Sequence, residues 1–196
     1  MSTNETTGGA LTAHPPTGLS SALSIAHKAA QLLTSAARAN LEAVPDDSHS
    51  NLGWDTDNQR FLSHPLPAAA GPLRVGLSLS PLTICLVDDG GDGDALSLDG
   101  PSYADALRWL DERLADHDLK PASGVTLSYD LPAEAAAVAV FEPGPAAGQL
   151  SSLAAWFDLA AKVLAAFAGS HEKLEPGPAI GTPAVSSVRL RRRMKF

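Results

Sequence analysis

The fold of this chain turns on Leu73-Arg74-Val75-Gly76-Leu77-Ser78-Leu79-Ser80-Pro81-Leu82-Thr83-Ile84-Cys85-Leu86-Val87. Leu73, Val75, Leu77 and Leu79 alternate with Arg74, Gly76 and Ser78, the period of a strand with one buried face. Ser80-Pro81 turns the chain, and Leu82 to Val87 reads as a more fully buried strand. Asp88 to Asp94 holds only Asp and Gly, the residues a hairpin turn favours, and Ala95 to Leu98 reads as a short strand after it. The order strand, turn, strand, turn, strand implies an antiparallel meander. Upstream, Arg60 to Leu66 reads as a strand interrupted by Pro65 and Pro67.

Helices flank this sheet. Leu19, Leu23, Ala26, Ala30, Leu33, Ala37 and Leu41 recur at steps of three and four. That is one apolar stripe on a helix capped near Thr17 to Ser20 and ended by Pro45. After Gly100-Pro101, Ser102 and Asp105 have the spacing of a capping box. The helix they open runs to about His117, with Tyr103, Ala106, Leu107, Leu110 and Leu114 inward. Val125 to Tyr129 reads as a strand. Ala133 to Phe141 is ambiguous, helical in its Ala and Glu and strand-like in Val138 to Phe141. A third helix, Ser151 to Ala168, should turn Leu153, Phe157, Ala160, Leu164 and Phe167 inward. Val185 to Leu190 reads as an edge strand. The expectation is an α+β domain: an antiparallel sheet of about four to six strands with three main helices packed mostly on one face.

Length and charge frame the rest. At 196 residues the chain suits a single domain. It is read as a disordered arm (1–16), one α+β domain (17–188) and a basic tail (189–196). The composition is 44% hydrophobic and 18% charged, ordinary for a globular protein. No run reaches the eighteen or so consecutive apolar residues of a membrane span. The N-terminus lacks the basic and apolar regions of a secretory signal, and one cysteine, Cys85, fits a reducing compartment. A soluble, cytoplasmic protein is the expectation. Removing Arg189, Arg191, Arg192, Arg193 and Lys195 from the net charge of −8 leaves a body near −13. Such a body repels nucleic acid and anionic membrane, and only the tail could attract either.

The candidate site is Asp46-Asp47-Ser48-His49-Ser50-Asn51-Leu52-Gly53-Trp54-Asp55, where carboxylates, an imidazole, a carboxamide and an indole crowd together. Asp47, His49, Asn51 and Trp54 are the candidates for a small-molecule pocket between the first helix and the sheet. Asp46, Asp47, His49 and Asp55 are the candidate metal ligands, although their spacing matches no metal motif. A loop built on Asx or ST turns, with Trp54 plugging the core edge, explains the same residues without a ligand. Asp88 to Asp99 imitates a calcium loop, but Gly90 stands where an oxygen ligand belongs and the last position is not Glu. Cys85, with no cation nearby in sequence, reads as a buried inert thiol. His27 sits at the edge of the first helix's stripe. There is no Gly-x-Ser-x-Gly elbow, dinucleotide fingerprint or P-loop.

His27-Lys28-Ala29-Ala30-Gln31, Asp46 to Trp54, Tyr103 to Leu114, Tyr129-Asp130-Leu131-Pro132 and the Trp156 helix, in this order, resemble a family of uncharacterised bacterial proteins. Its distinctive segment is Asp-Asp-Ser-His-x-Asn-Leu-Gly-Trp. The resemblance covers most of residues 19–190. It departs from the family at Lys28, where an aromatic is expected, and after Leu190. There a Trp-Pro-His-His-Phe-Asp motif is replaced by Arg191-Arg192-Arg193-Met194-Lys195-Phe196, which implies a shortened or divergent member without that histidine pair. The resemblance implies no activity and no cofactor, but it draws weight to Asp46–Trp54. Three functions follow as expectations: small-ligand binding through the 46–55 loop, a metal-assisted hydrolase using its acids and His49, or an interaction protein recruited by its basic tail.

Overall fold

The computed structural model describes residues 18–126 and 130–169, with two short strands at Glu175–Pro176 and Val188–Arg189. The expected arm at 1–16, most of the expected strand at Val125 to Tyr129 and the tail beyond Arg189 lie outside the described residues. In chain order come α1 (Ser20–Asn40), β1 (Gly53–Asp55), β2 (Arg60–Leu62), β3 (Leu66–Ala68), β4 (Gly71–Leu79), β5 (Leu82–Asp88) and β6 (Gly91–Ser97). Then follow α2 (Tyr103–Asp116), the single turn α3 (Ala133–Ala136) and α4 (Ala147–Gly169). The sheet is antiparallel in the order β1-β2-β4-β5-β6, with β3 also on β4. The fold class is the expected α+β.

β4 is the spine because it is long enough to hold two short partners on one side. Its end pairs with β2 (Leu62 opposite Gly76) and its start with β3 (Leu66 opposite Leu73). Pro65 breaks the ladder between them, since it has no N–H to donate. Ser63 repairs the break. Its N–H donates to the Val75 carbonyl at 2.9 Å, and its Oγ accepts the Val75 N–H at 2.9 Å while donating to the His64 carbonyl. No backbone group of Val75 is left unpaired in the buried interior.

The inner face carries Leu73, Val75, Leu77 and Leu79 of β4 with Leu82, Ile84 and Leu86 of β5, all buried. Against them lie Ala22, Ala26, Ala29, Leu32, Leu33 and Ala36 of α1, whose small side chains let the helix come close. The buried stripe of α1 is rotated from the expected one: Leu23 is 47% exposed and Ala30 only half-buried. The sheet lies under α1 and α4 beside it, so two neighbours set the buried face rather than one. The helix also stops at Asn40, before Pro45. Asn40 Nδ2 donates to the Lys120 carbonyl at 3.0 Å and its Oδ1 accepts the Lys120 N–H at 2.7 Å. That contact fastens the helix end to the loop after α2.

Arg60 crosses the outer face of the sheet. From β2, its Nε donates to Asp55 Oδ2 on β1 at 3.3 Å, and its Nη1 reaches Asp92 Oδ1 on β6 at 2.6 Å. On the way it passes Gly76 of β4 and comes 3.7 Å from Cys85 Sγ on β5. Gly76 makes the crossing possible: a Cβ there would stand 2.8 Å from Cys85 Sγ and 3.5 Å from Arg60 Cδ. Cys85 is buried as expected, but Arg60 is the nearby cation that the sequence did not reveal. Burial still pushes the thiol up from its ordinary range, outweighing Arg60.

Two further expectations need correction, and an open one resolves. The Asp-Gly run is not only a turn, because the ladder of β6 starts at Gly91, whose φ is +113°. An exposed edge strand tolerates Asp, and here Asp92 and Asp94 find Arg60 and Arg113 as partners. Ala133 to Phe141 realises both its tendencies, one turn of helix and then a bridge from Val140 to Ser102. In α4, burial includes Leu150, Leu153, Ala154 and Asp158 and stops there. Leu164 and Phe167, expected inward, are 62% and 47% exposed. The segment Gly144–Gly169 is long and apolar enough to cross a membrane by length and composition, yet its first half is built into the core. The capping box of α2 is present, with Ser102 Oγ accepting the Asp105 N–H and the Asp105 carboxylate accepting the Ser102 N–H.

Candidate functional site

The 46–55 loop is a knot of local hydrogen bonds. Asp46 Oδ1 accepts the Ser48 N–H at 3.2 Å, and a short 3-10 turn follows over Ser48–Ser50. Asp47 adopts the left-handed conformation (φ 55°), and its carboxylate meets Arg38 Nη2 of α1 at 3.3 Å. Ser50 Oγ donates to the Asp47 carbonyl, and His49 Nδ1 accepts the Val44 N–H at 3.4 Å. Asn and Asp tolerate such backbone because their short polar side chains bond locally.

The four pocket candidates part company. Asp47 faces Arg38. Trp54 is buried in an aromatic trio, its ring 4.9 Å from Phe61 edge-on and 5.4 Å from Phe157 stacked. Asn51 meets a residue that the sequence did not single out, His64, whose Nε2 lies 2.7 Å from Asn51 Oδ1, while His49 acts on His64 only through its charge. The metal candidates separate as well. Asp46 caps Ser48, while Asp55 turns into the sheet to Arg60 and Asn58. Among the described residues no three His, Cys, Asp or Glu side chains converge as a metal set.

His64 sits where the broken edge β2–β3 passes the loop. Burial is the main influence on it and holds its imidazole below the usual range. A hydrogen bond to the Ser48 backbone opposes this, and the positive charges of Arg74 and His49 reinforce it. Folding therefore favours neutral His64. The linked stability is fully present above the unfolded value of about 6.5 and is lost as pH falls from there through the lower folded value. The urea midpoint of the wild type should fall more steeply than that of His64→Gln between about pH 7 and about pH 5. Parallel curves would show that His64 does not titrate with folding.

On the other side of Trp54 lies an apolar groove of about 290 Å³. Leu23, Ala26, His27 and Ala30 of α1 form one wall, and Leu153 and Phe157 of α4 the other. Leu52, from the loop itself, and Phe61 of β2 make the floor. Among the described residues, His27 is the one titratable group in the lining. No protein-family model, curated protein or solved structure matches this chain. Its candidate site thus rests on its own geometry: a polar loop whose Leu52 lines the apolar groove and whose Trp54 packs on two residues of that lining, Phe61 and Phe157. The groove itself escaped the sequence because Leu23 and Ala30 share the heptad-like spacing of true core residues. Only the position of α4 exposes them.

Proposed function

We propose that this protein binds a small, uncharged and largely apolar molecule, aromatic or short-acyl, in the groove between α1 and α4. The observation that carries this is the groove's lining: about 290 Å³ faced by Phe61, Phe157 and aliphatic side chains, with His27 as one polar group at its wall. Binding sites for small molecules are concave, mostly apolar and marked by a few polar groups. At the roughly 30 Å³ that a water occupies in the liquid, the groove holds about ten non-hydrogen atoms. A ligand of that size reaches a Kd on the order of 100 µM at ordinary efficiency. Among the described residues no Asp, Glu, Lys or Arg lines the groove, so a charged ligand would lose its hydration without compensation there.

Trp54 provides the readout, because it packs on both Phe61 and Phe157. With Trp109 and Trp156 changed to Phe, the remaining indole should respond saturably to members of a panel of uncharged aromatic and short-chain compounds. Ala30→Phe, which fills the groove from its wall, should weaken that response at least about tenfold while leaving the circular dichroism unchanged. Silence across the panel, or an undiminished response in Ala30→Phe, would overturn the reading.

A further inference from the structure

Among the described residues six large apolar side chains are exposed, and four of them, Leu23, Val163, Leu164 and Phe167, lie on α1 and α4. Leu23 stands in the wall of the groove, and the other three follow on α4 beyond it. The steps from Leu153 to Phe157, Ala160, Leu164 and Phe167 are four, three, four and three, the spacing of a helix–helix seam. The first two of these residues line the groove. The last three are exposed, and Val163 beside them is 57% exposed. Trp156 and Val163 flank the seam on one side, and Ala154, Ala161 and Ala168 on the other. Lys162 lies on the opposite side of the helix, where its Nζ holds the Asp158 carboxylate at 2.6 Å. The seam itself carries no charged side chain.

This strip is concave at one end and convex at the other. The groove of about 290 Å³ opens between Leu23 and Phe157. Leu164 and Phe167 stand about two and three turns beyond Phe157 along the same seam. A patch of that form fits a copy of itself across a two-fold axis, because each convex end meets a concave one. With the two α4 helices antiparallel, Phe167 of each copy reaches Phe157 at the other's groove, and Leu164 packs on Ala160, large against small. At on the order of 100 Å² for each exposed large side chain, with the alanines between them, each copy would bury about 500 Å² and the pair about 1,000 Å². That is the low end of specific association and implies a Kd on the order of 10 µM. A flat lipid surface would leave the groove unfilled, and the net charge of −8 opposes anionic headgroups.

We infer that the protein pairs with a second copy of itself through α1 and α4, as a two-fold dimer in which the groove of each copy receives Phe167 of the other. The inference does not rest on the small-ligand reading. The second copy and a small molecule contest the same groove, so each should displace the other.

Sedimentation velocity of the full chain, from about 1 to about 300 µM, should show a monomer–dimer equilibrium near that Kd. Salt screens the like charge of the two copies and should tighten the dimer at least about threefold between about 50 and about 500 mM. Leu164→Glu, at an exposed position, sets a charge in the seam and should weaken association at least about tenfold with the circular dichroism unchanged. It leaves the groove lining intact, so the indole response to small molecules should persist. Loss of the dimer and loss of ligand binding are thereby told apart. Val163→Cys, beside the two-fold axis, should couple to itself through a short bismaleimide spacer. Ala166→Cys, exposed on the far side of the helix, should not, and the buried Cys85 gives the background. A chain that is monomeric at about 300 µM, a dimer as tight in Leu164→Glu as in the wild type, or equal coupling of the two cysteine variants would overturn the proposal. So would a monomer that sediments with phosphatidylcholine vesicles, since the strip would then belong to lipid.

Discussion

Replacing Asp55 with Ala should cost about 3 kcal/mol of folding stability, because it strands a buried arginine. Asp55 and Arg60 are both almost wholly buried, and the pair joins β1 to β2. Asp92 remains to Arg60 after the substitution, but it is 61% exposed and its attraction is weakened by water. That remaining partner places the loss at the lower end of the range for broken buried pairs. Asp55 also shapes the hairpin, accepting the N–H groups of Asp57 and Asn58 at 3.1 and 3.2 Å and the Asn58 side chain at 2.9 Å. Asp55→Asn keeps an acceptor for these donors and should cost less, about 2 kcal/mol. Burial pushes the Asp55 carboxyl up, but the Asn58 side chain, the two backbone N–H groups and Arg60 outweigh it and hold it below its ordinary value. Its contribution is therefore present at neutral pH and lost as pH falls through that lowered value. Urea unfolding of wild type and both variants, at neutral and acid pH, checks each part. A cost below about 1 kcal/mol for Asp55→Ala would show that the crossing arginine is held by Asp92 alone.

Phe141→Ala should be as damaging, costing about 3–5 kcal/mol. Phe141 is fully buried and is the largest side chain in that state. It follows the single turn α3, and its backbone fastens this segment to the start of α2. Its N–H donates to the Pro101 carbonyl at 3.0 Å, and its carbonyl accepts the Gly100 N–H at 2.9 Å. Removing the ring leaves those bonds with nothing to hold them against the core, beside a void that close-packed neighbours fill only in part. Phe141→Leu, which keeps most of the volume, should cost about 1.5 kcal/mol or less. Denaturant titration of the two variants separates cavity formation from loss of the backbone anchor. Equal, large losses in both would point to the ring's shape rather than its volume.

The meander and the main helices were legible because each announces itself over a short window. Alternation at Leu73 to Leu79 and the Ser102–Asp105 box are local signals, and both elements stand where they were expected. β1 was hidden since it is three residues long and only Trp54 among them is apolar. Its strand character comes from pairing with β2. The exposed half of α4 was misread for a different reason. Periodicity reports which residues could face a neighbour, whereas burial requires that the neighbour be there. The same limit hid the groove, whose walls at Leu23 and Ala30 look like core.

At the candidate site the loop was found but its partners were not. His64 stands thirteen positions beyond Asn51, and only the β1–β2 hairpin folds it back. Arg74 appeared as the polar residue of an alternating strand, a pattern that normally means solvent. That it is buried, with its Nη1 on the Ser63 carbonyl, is visible only in three dimensions.

The edges of the sheet bear on how this protein meets other chains. One edge, β6, opens with Gly91, Asp92, Gly93 and Asp94, and the other is split between β1 and β3, each three residues long. A foreign strand seeking to add itself would face clustered negative charge at one side and too few free amides at the other. Growth by strand addition, the usual road to aggregates and to peptide capture along a sheet, is therefore poorly supported at both margins. Crowding this protein should drive contacts through its helices and loops, leaving the strands of neighbouring copies apart.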